Sequence, residues 1–267
     1  MIVVDALGRQ LSIADVPQRI VSLVPSLTEY LFAIGAGARV AGVTDYCVEP
    51  AAQVAGLPKV HGTKNPDRAG IRALRPDLVL ASKEENRERD VAALAAAGVP
   101  VYVTDICSVQ GALDQLAELA GLLAAERGAA SLLDGLRAAL EQAQPARPTP
   151  PRRALAFIWR DPWMAIGRDT YADDLLRLCG AENLARALDG SRYPRAPLDA
   201  FMALGPEVVL LPDEPYAFAA GDVAALAEYV DVPAVREGRV ALCDGKLLTW
   251  YGPRTAEALR VLRGIVG

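Results

Sequence analysis

Leu74-Arg75-Pro76-Asp77-Leu78-Val79-Leu80 returns later in the same chain as Leu204-Gly205-Pro206-Glu207-Val208-Val209-Leu210. Each copy places a helix-stopping proline and a carboxylate ahead of a short apolar run. A run of that kind is how a strand buried on both faces of a parallel sheet reads. The echo continues: Gly98-Val99-Pro100 precedes Val101 to Val103 and Thr104-Asp105, while Asp231-Val232-Pro233 precedes Val240 to Leu242 and Cys243-Asp244. One α/β unit written twice predicts two Rossmann-like lobes with parallel-rich sheets. Ligands of open α/β sheets sit beyond the carboxyl ends of the strands, so function is expected in a cleft between the lobes.

Composition narrows the function classes. The 267 residues are 52% hydrophobic and 23% charged, enough to bury a large core. With a net charge of −5 and no basic run, the chain lacks the electrostatic footprint of a nucleic-acid binder. No apolar stretch is long enough for a membrane span, and Met1-Ile2-Val3-Val4-Asp5 has neither region of a secretory signal. The chain as written is therefore expected to carry no export signal. It would be periplasmic or cell-surface if a signal was trimmed before Met1, and cytoplasmic if Met1 is the native start. Cys47, Cys107, Cys179 and Cys243 are widely spaced with no CxxC, which reads as free buried thiols rather than a zinc site or disulfide scaffold.

Along the chain, Val3 to Ile13 reads as a hairpin turning at Leu7-Gly8-Arg9, and Ile20 to Val24 as a buried strand. Pro25-Ser26-Leu27-Thr28-Glu29 gives a Ser/Thr start and a first-turn carboxylate to a helix over Leu27 to Ile34, which Gly35-Ala36-Gly37 stops. Those glycines close a helix instead of opening one, so they are not a dinucleotide loop. Val40 to Val43 is a strand, Ile71 to Leu74 ends a short helix, and Glu84 to Ala97 is a helix closed by Gly98. From Val109 to Ala143 the leucines fall at helical spacing in two helices, with the junction expected at Gly128; the second, at 1.5 Å per residue, would be roughly 25 Å long. The proline-rich Gln144 to Pro151 ends this strut as a stiff extended loop. The expected division is an N-terminal lobe over 1–108, connecting helices including a rigid backbone helix over 109–145, and a C-terminal lobe over 146–267.

Aromatic side chains are few, yet Tyr46, Trp159, Trp163, Tyr171, Tyr193, Trp250 and Tyr251 fall at strand ends or in loops. Such placement would make a flat, partly apolar cradle for a large planar ligand. His61 is the one histidine. With no GxSxG elbow a triad hydrolase is not expected, and a single histidine does not build a zinc or manganese receptor. It reads either as a solvated loop residue or as an axial ligand to a cobalt or iron already held in a macrocycle. Lys83 to Asp90 is a charge run directly after a strand; its Glu85, Asn86 and Arg87 are candidates for hydrogen bonding to polar ligand groups, against the alternative of a solvated helix face. Arg160, Arg168, Arg192, Arg195 and Arg254 are candidate anion contacts.

Arg19 to Glu29, Leu74 to Leu80 and Leu178-Cys179-Gly180-Ala181-Glu182-Asn183 resemble the cobalamin-binding proteins of ABC transporters. These are helical-backbone substrate-binding proteins, whose other members bind siderophores, haem or metal ions. The resemblance, in order over nearly the whole chain, implies two lobes joined by a rigid helix and a non-catalytic, monomeric receptor. It would deliver a small molecule to an ABC permease, meet the membrane only through that permease or a trimmed anchor, and hold no cofactor of its own. The ligand would be a metal-containing macrocycle or chelate: a cobalamin-like corrinoid first, with a haem or ferric-siderophore receptor and a cytoplasmic corrinoid or tetrapyrrole carrier or enzyme as alternatives. Pro25, Ser26 and Thr28 match the family's first ligand loop, Tyr46 a cleft tyrosine, Tyr193 a cleft tryptophan, and Trp250, Tyr251 and Arg254 the last ligand loop. Ser82 stands where cobalamin binders have a tryptophan, and the acid–base pair of the last loop is replaced around Lys246 to Trp250. Asp199 matches one permease-docking glutamate, and Asp67 lies near the position of the other. Cys179 matches a cysteine that is disulfide-bonded in some relatives, but its partner position is apolar here.

Overall fold

The computed structural model describes residues 1–143 and 150–267; most of the proline-rich stretch lies outside the described residues. The chain forms two compact units. Unit 1 comprises Met1–Ile106, Gly111–Gly135 and Tyr251–Pro253, and unit 2 comprises Cys107–Gln110, Leu136–Trp250 and Arg254–Gly267.

Unit 1 opens with an antiparallel hairpin, β1 (Ile2–Val4) and β2 (Gln10–Ser12). Then follow β3 (Ile20–Ser22), α1 (Pro25–Ala33), β4 (Val40–Val43), α2 (Ala51–Val54), and the two-residue strands β5 (His61–Gly62) and β6 (Asn65–Pro66). After these come α3 (Arg68–Ala73), β7 (Leu78–Ser82), α4 (Glu88–Ala96), β8 (Val101–Thr104), α5 (Val109–Leu122) and α6 (Glu126–Ala143), and the chain passes into unit 2 within α6. The main sheet is parallel throughout, in the order β4-β3-β7-β8. Val21, Leu23, Ile71, Val79, Leu94 and Val103 pack into its core.

In unit 2 the elements are β9 (Arg152–Trp159), β10 (Met164–Ala165), α7 (Tyr171–Leu178), β11 (Ala181–Asn183), α8 (Leu198–Met202) and β12 (Val208–Pro212). They continue with α9 (Ala220–Leu226), α10 (Pro233–Arg236), β13 (Val240–Cys243), α11 (Gly245–Thr249) and α12 (Thr255–Val266). Strands β9, β12 and β13 are parallel neighbours, β11 pairs in parallel with the start of β9, and β10 runs antiparallel to its end. Phe157, Phe201, Val209, Leu211 and Leu226 form the core.

The doubled phrase performs the same task in both units. Asp77 accepts hydrogen bonds from the amides of Gln18 (2.7 Å) and Arg19 (2.8 Å) at the mouth of β3. Glu207 accepts from the Arg153 amide (2.9 Å) at the mouth of β9. In turn Arg19 donates to the Leu74 carbonyl and Arg153 to the Leu204 carbonyl. The residue before each proline, Arg75 or Gly205, is left-handed, at φ +49° and +64°. The carboxylate of the phrase thus staples an inner strand of each sheet and stands at its amino end.

Three expected boundaries are corrected. Helix α1 begins on Pro25 at its first position, with no side-chain cap and no first-turn carboxylate, because proline has no N–H to leave unsatisfied there. Helix α4 starts at Glu88, since Ser82 and Asn86 fold the preceding residues into a hydrogen-bonded turn. Gly128 is not the junction of α5 and α6, which falls at 123–125; it lies inside α6, where a Cβ would come within 2.1 Å of the Ile34 carbonyl oxygen. The phrase Leu178 to Asn183 is structural. Cys179 caps α7, Gly180 turns at φ +94°, and Asn183 donates to the Ile166 carbonyl (2.9 Å) and to Asp173 (2.8 Å). The four cysteines are free thiols, and Cys179 is pushed up to about 12 by burial.

Candidate functional site

At the carboxyl edge of the sheet in unit 1, every strand delivers a small hydroxyl residue at or beside its end: Ser22, Thr44, Ser82 and Thr104, all buried. Ser26, Thr28, Asn86 and Tyr251 join them below the surface. Thr28 donates to the Val24 carbonyl (3.0 Å), the bond a mid-helix threonine makes to the residue four before it, and also lies 3.1 Å from Cys47 Sγ. Thr44 Oγ1 is equally close to that thiol, and burial raises the thiol's pKa. Thr28 therefore holds the first loop together instead of offering a donor to solvent. Pro25 and Ser26 are buried in the same turn. The Tyr251 phenol is driven far above its ordinary range by burial, reinforced by Glu85 and Glu84 and opposed by the neighbouring hydroxyls of Ser26 and Thr104. It is a neutral hydroxyl at any physiological pH.

Two aromatic donors stand outside this buried layer. Tyr46 is 63% exposed in the turn after β4, and His61 is exposed on β5 at φ +65°. Their loops touch: the Asp45 amide donates to the His61 carbonyl (3.0 Å), and a Cβ on Gly62 would lie 3.2 Å from the Tyr46 ring. His61 is therefore not in a free loop but on a short hairpin whose glycine leaves room for Tyr46. Asn86, expected as a ligand contact, is committed inward. Its Oδ1 accepts from the Ser82 amide (2.8 Å), while its Nδ2 donates to the carbonyls of Thr63 (3.0 Å) and Leu23 (3.4 Å). Glu85 is half-buried beside it, and Arg87 is an exposed residue at the start of α4. Lys64 donates to the Glu84 carbonyl (2.6 Å); burial lowers its pKa, with Glu85 and Glu84 acting against that.

In unit 2 the strand ends carry aromatics. Trp159, at the end of β9, is 41% exposed and meets Tyr216 edge-on at 5.8 Å. Tyr216 contacts Phe218 (4.7 Å), which stacks on Trp163 (5.9 Å, 20°), which in turn meets Phe157 of the core (4.8 Å). Trp163 is thus half-buried packing, and Trp159 is the outermost ring of the ladder. Arg160 lies over Trp163 (5.5 Å) and is paired with Asp222, so it is not a free anion contact. Tyr171, at the start of α7, is corrected to a core residue, its phenol buried against Thr255 (2.9 Å). Tyr193 is half-buried in the loop before α8. Trp250 is buried with the cations of Lys246 (5.9 Å) and Arg254 (5.5 Å) over its ring. Beside them Glu214 is held above its ordinary range by burial, partly offset by Lys246 and a hydrogen bond with Trp250.

The docking candidates are structured carboxylates. Asp67 caps α3, accepting from the Ala69 amide (3.1 Å), and with Arg68 and Arg72 lines a surface groove of about 480 Å³. Asp199, exposed in the first turn of α8, accepts from the Tyr229 hydroxyl at 2.5 Å. Tyr216, Phe218 and the role of Asn86 escaped the sequence reading. The aromatic pair follows Pro212-Asp213-Glu214-Pro215, a turn-rich run directly after the second copy of the phrase, and that position was the available signal.

The family model for periplasmic binding proteins matches residues 20–247. The chain belongs to the periplasmic binding protein family. This periplasmic binding protein is 29% identical over 269 residues to an uncharacterized ABC transporter substrate-binding lipoprotein of Bacillus subtilis, covering 97% of this chain and 82% of that one. It is 28% identical over 200 residues to a vitamin B12-binding protein of Yersinia pestis, covering 74% and 70% of the two chains. Among solved structures, a periplasmic haem-binding protein of Roseiflexus matches with a TM-score of 0.77 at 28% identity, over 93% of this chain and 97% of that one. These relatives are binding proteins, not enzymes, as the resemblance implied. Among the described residues no helix is long and apolar enough to cross a membrane.

Proposed function

We propose that this binding protein is a monomeric, non-catalytic receptor, without a cofactor of its own, that carries a metal-bearing macrocycle to an ABC permease, and that the macrocycle is an iron porphyrin. One observation carries the reading: Tyr46 and His61, two exposed residues able to donate to an axial position, sit on touching loops at the carboxyl edge of unit 1. A porphyrin iron takes its axial ligands from the protein. Unit 2, taken by itself, offers the exposed Trp159 ring as an apolar contact and Lys246 beside Trp250 as a cation for carboxylate side arms. The similarity to a haem-binding structure supports the same reading.

A cobalamin-like corrinoid is the second reading, favoured by the similarity to a vitamin B12-binding protein over most of the chain. A ferric siderophore remains the third member of the comparison. Asp199 would face a basic group of the permease; Asp67 would do so only by giving up its cap on α3. Incubating purified protein with haemin, cyanocobalamin or a ferric siderophore and reading absorbance after desalting tests the assignment. A retained Soret band that shifts in Tyr46→Phe or His61→Ala supports the porphyrin, and retained corrinoid absorbance without haemin replaces it with the second reading. Retention of neither removes the macrocycle.

A further inference from the structure

Asn86 is the polar side chain by which the His61 hairpin is bound to the rest of the ligand edge. Its two amide hydrogens go to Thr63, in the turn of that hairpin, and to Leu23 just after β3, while its oxygen takes the amide of Ser82 at the end of β7. Three chain segments that are distant in sequence therefore meet on one primary amide, and an amide is the one side-chain type that can donate twice and accept at once. The hairpin needs such an anchor. Strands β5 and β6 are two residues each, His61 is left-handed, and two-residue pairing has no stability of its own in water. Among the described residues the other tethers on this side are the Val60 amide to the Val43 carbonyl at the base of the hairpin, Lys64 to the Glu84 carbonyl, and the Asp45 amide to the His61 carbonyl. Lys64 is a surface residue only partly desolvated, so the buried Asn86 is the side-chain anchor with which water competes least.

We infer that Asn86 is a positioning residue. By holding Thr63 it fixes the hairpin so that His61 and Tyr46 are presented as one preorganised pair. This rests on the proposed function for its meaning, but the placement can be measured without any ligand. Gly62 is the second half of the device. Any side chain there would press on Asn65 (2.5 Å) and the Tyr46 ring (3.2 Å).

The test uses the full chain with two changes. Asn86→Ala removes all three bonds; Asn86→Asp keeps the acceptor for Ser82 but cannot donate to Thr63 or Leu23. In ligand-free protein, amide hydrogen exchange over 60–66 should accelerate about tenfold in both variants, while the amides of β7 accelerate in Asn86→Ala alone. In protein loaded with haemin, the Soret maximum should move and affinity should fall about five- to tenfold in Asn86→Asp. The same change should add nothing in a Tyr46→Phe/His61→Ala background. Unchanged exchange over 60–66, or an affinity loss that persists in that background, overturns the inference. If haemin is not retained by the wild type, the functional reading fails by itself and the exchange result still decides the role of Asn86.

Discussion

Replacing Gly128 by alanine should destabilise the protein even though alanine is the better helix former. Residue 128 lies in the first turn of α6, and a Cβ there would sit 2.1 Å from the Ile34 oxygen and 2.9 Å from its carbonyl carbon. Both partners are backbone, so no rotamer change relieves the overlap; α6 and the end of α1 must separate by about 1 Å. Overpacking of this kind costs about 1–3 kcal/mol, and the helix-propensity gain of up to about 1 kcal/mol offsets only part of it. Gly135, in the same helix, has nothing within 4 Å of its built Cβ and is the internal control. Gly135→Ala should stabilise by about 0.5–1 kcal/mol. The propensity gain is common to both, so the two variants should differ by about 1–3 kcal/mol, a gap of roughly 3–10 °C in Tm for a chain of this size. Thermal melting followed by circular dichroism reads both against wild type. A Gly128→Ala protein that melts with or above the wild type refutes the close approach.

Asp5 accepts from the amides of Leu7 and Arg9 and from the Arg9 guanidinium, with its side chain fully buried; Asp5→Ala should cost about 3 kcal/mol in urea unfolding. Burial raises the Glu214 pKa, so this residue favours folding at acid pH, and that advantage disappears as pH climbs through its folded value. Glu214→Gln should therefore melt above wild type at pH 7, with the difference closing below about pH 4, where the unfolded carboxyl is protonated; a constant difference across pH would exclude the titration. Trp159→Ala should weaken haemin or corrinoid retention about tenfold in equilibrium titration while leaving Tm within about 2 °C, because the ring is an exposed end of the ladder and not its core.

The strands were legible wherever burial on both faces wrote a run of apolar residues, as at Val79 to Ala81 and Val209 to Leu211. What the repeat concealed was the purpose of its acid, since the amides it binds belong to a neighbouring strand far off in sequence. The start of α4 was misplaced for a related reason. Glu84, Glu85 and Arg87 are good helix formers, but Asn86 is drawn out of register by the Ser82 amide and the Thr63 carbonyl, a tertiary demand that outweighs their propensity. Of the site, Tyr46 and Trp159 are exposed rings at strand ends, but Trp163, Tyr171, Trp250 and Tyr251 share that placement and are spent on packing, so position alone does not separate a ligand ring from a core ring. Thr28 and Asn86 have the composition of ligand contacts yet face inward, and nothing local separates a buried amide from a solvent-facing one.

The three-residue return of Tyr251–Pro253 to unit 1 has a consequence for how the protein is made. The buried phenol beside Ser26 and Thr104 is carried by a segment that follows Leu136–Trp250 of unit 2 in sequence. During vectorial synthesis most of the first unit emerges early but lacks this side chain until residue 251 has been added. No single cut separates the two units into contiguous pieces, so a nascent or truncated chain ending before Tyr251 exposes the layer on which the ligand edge is built.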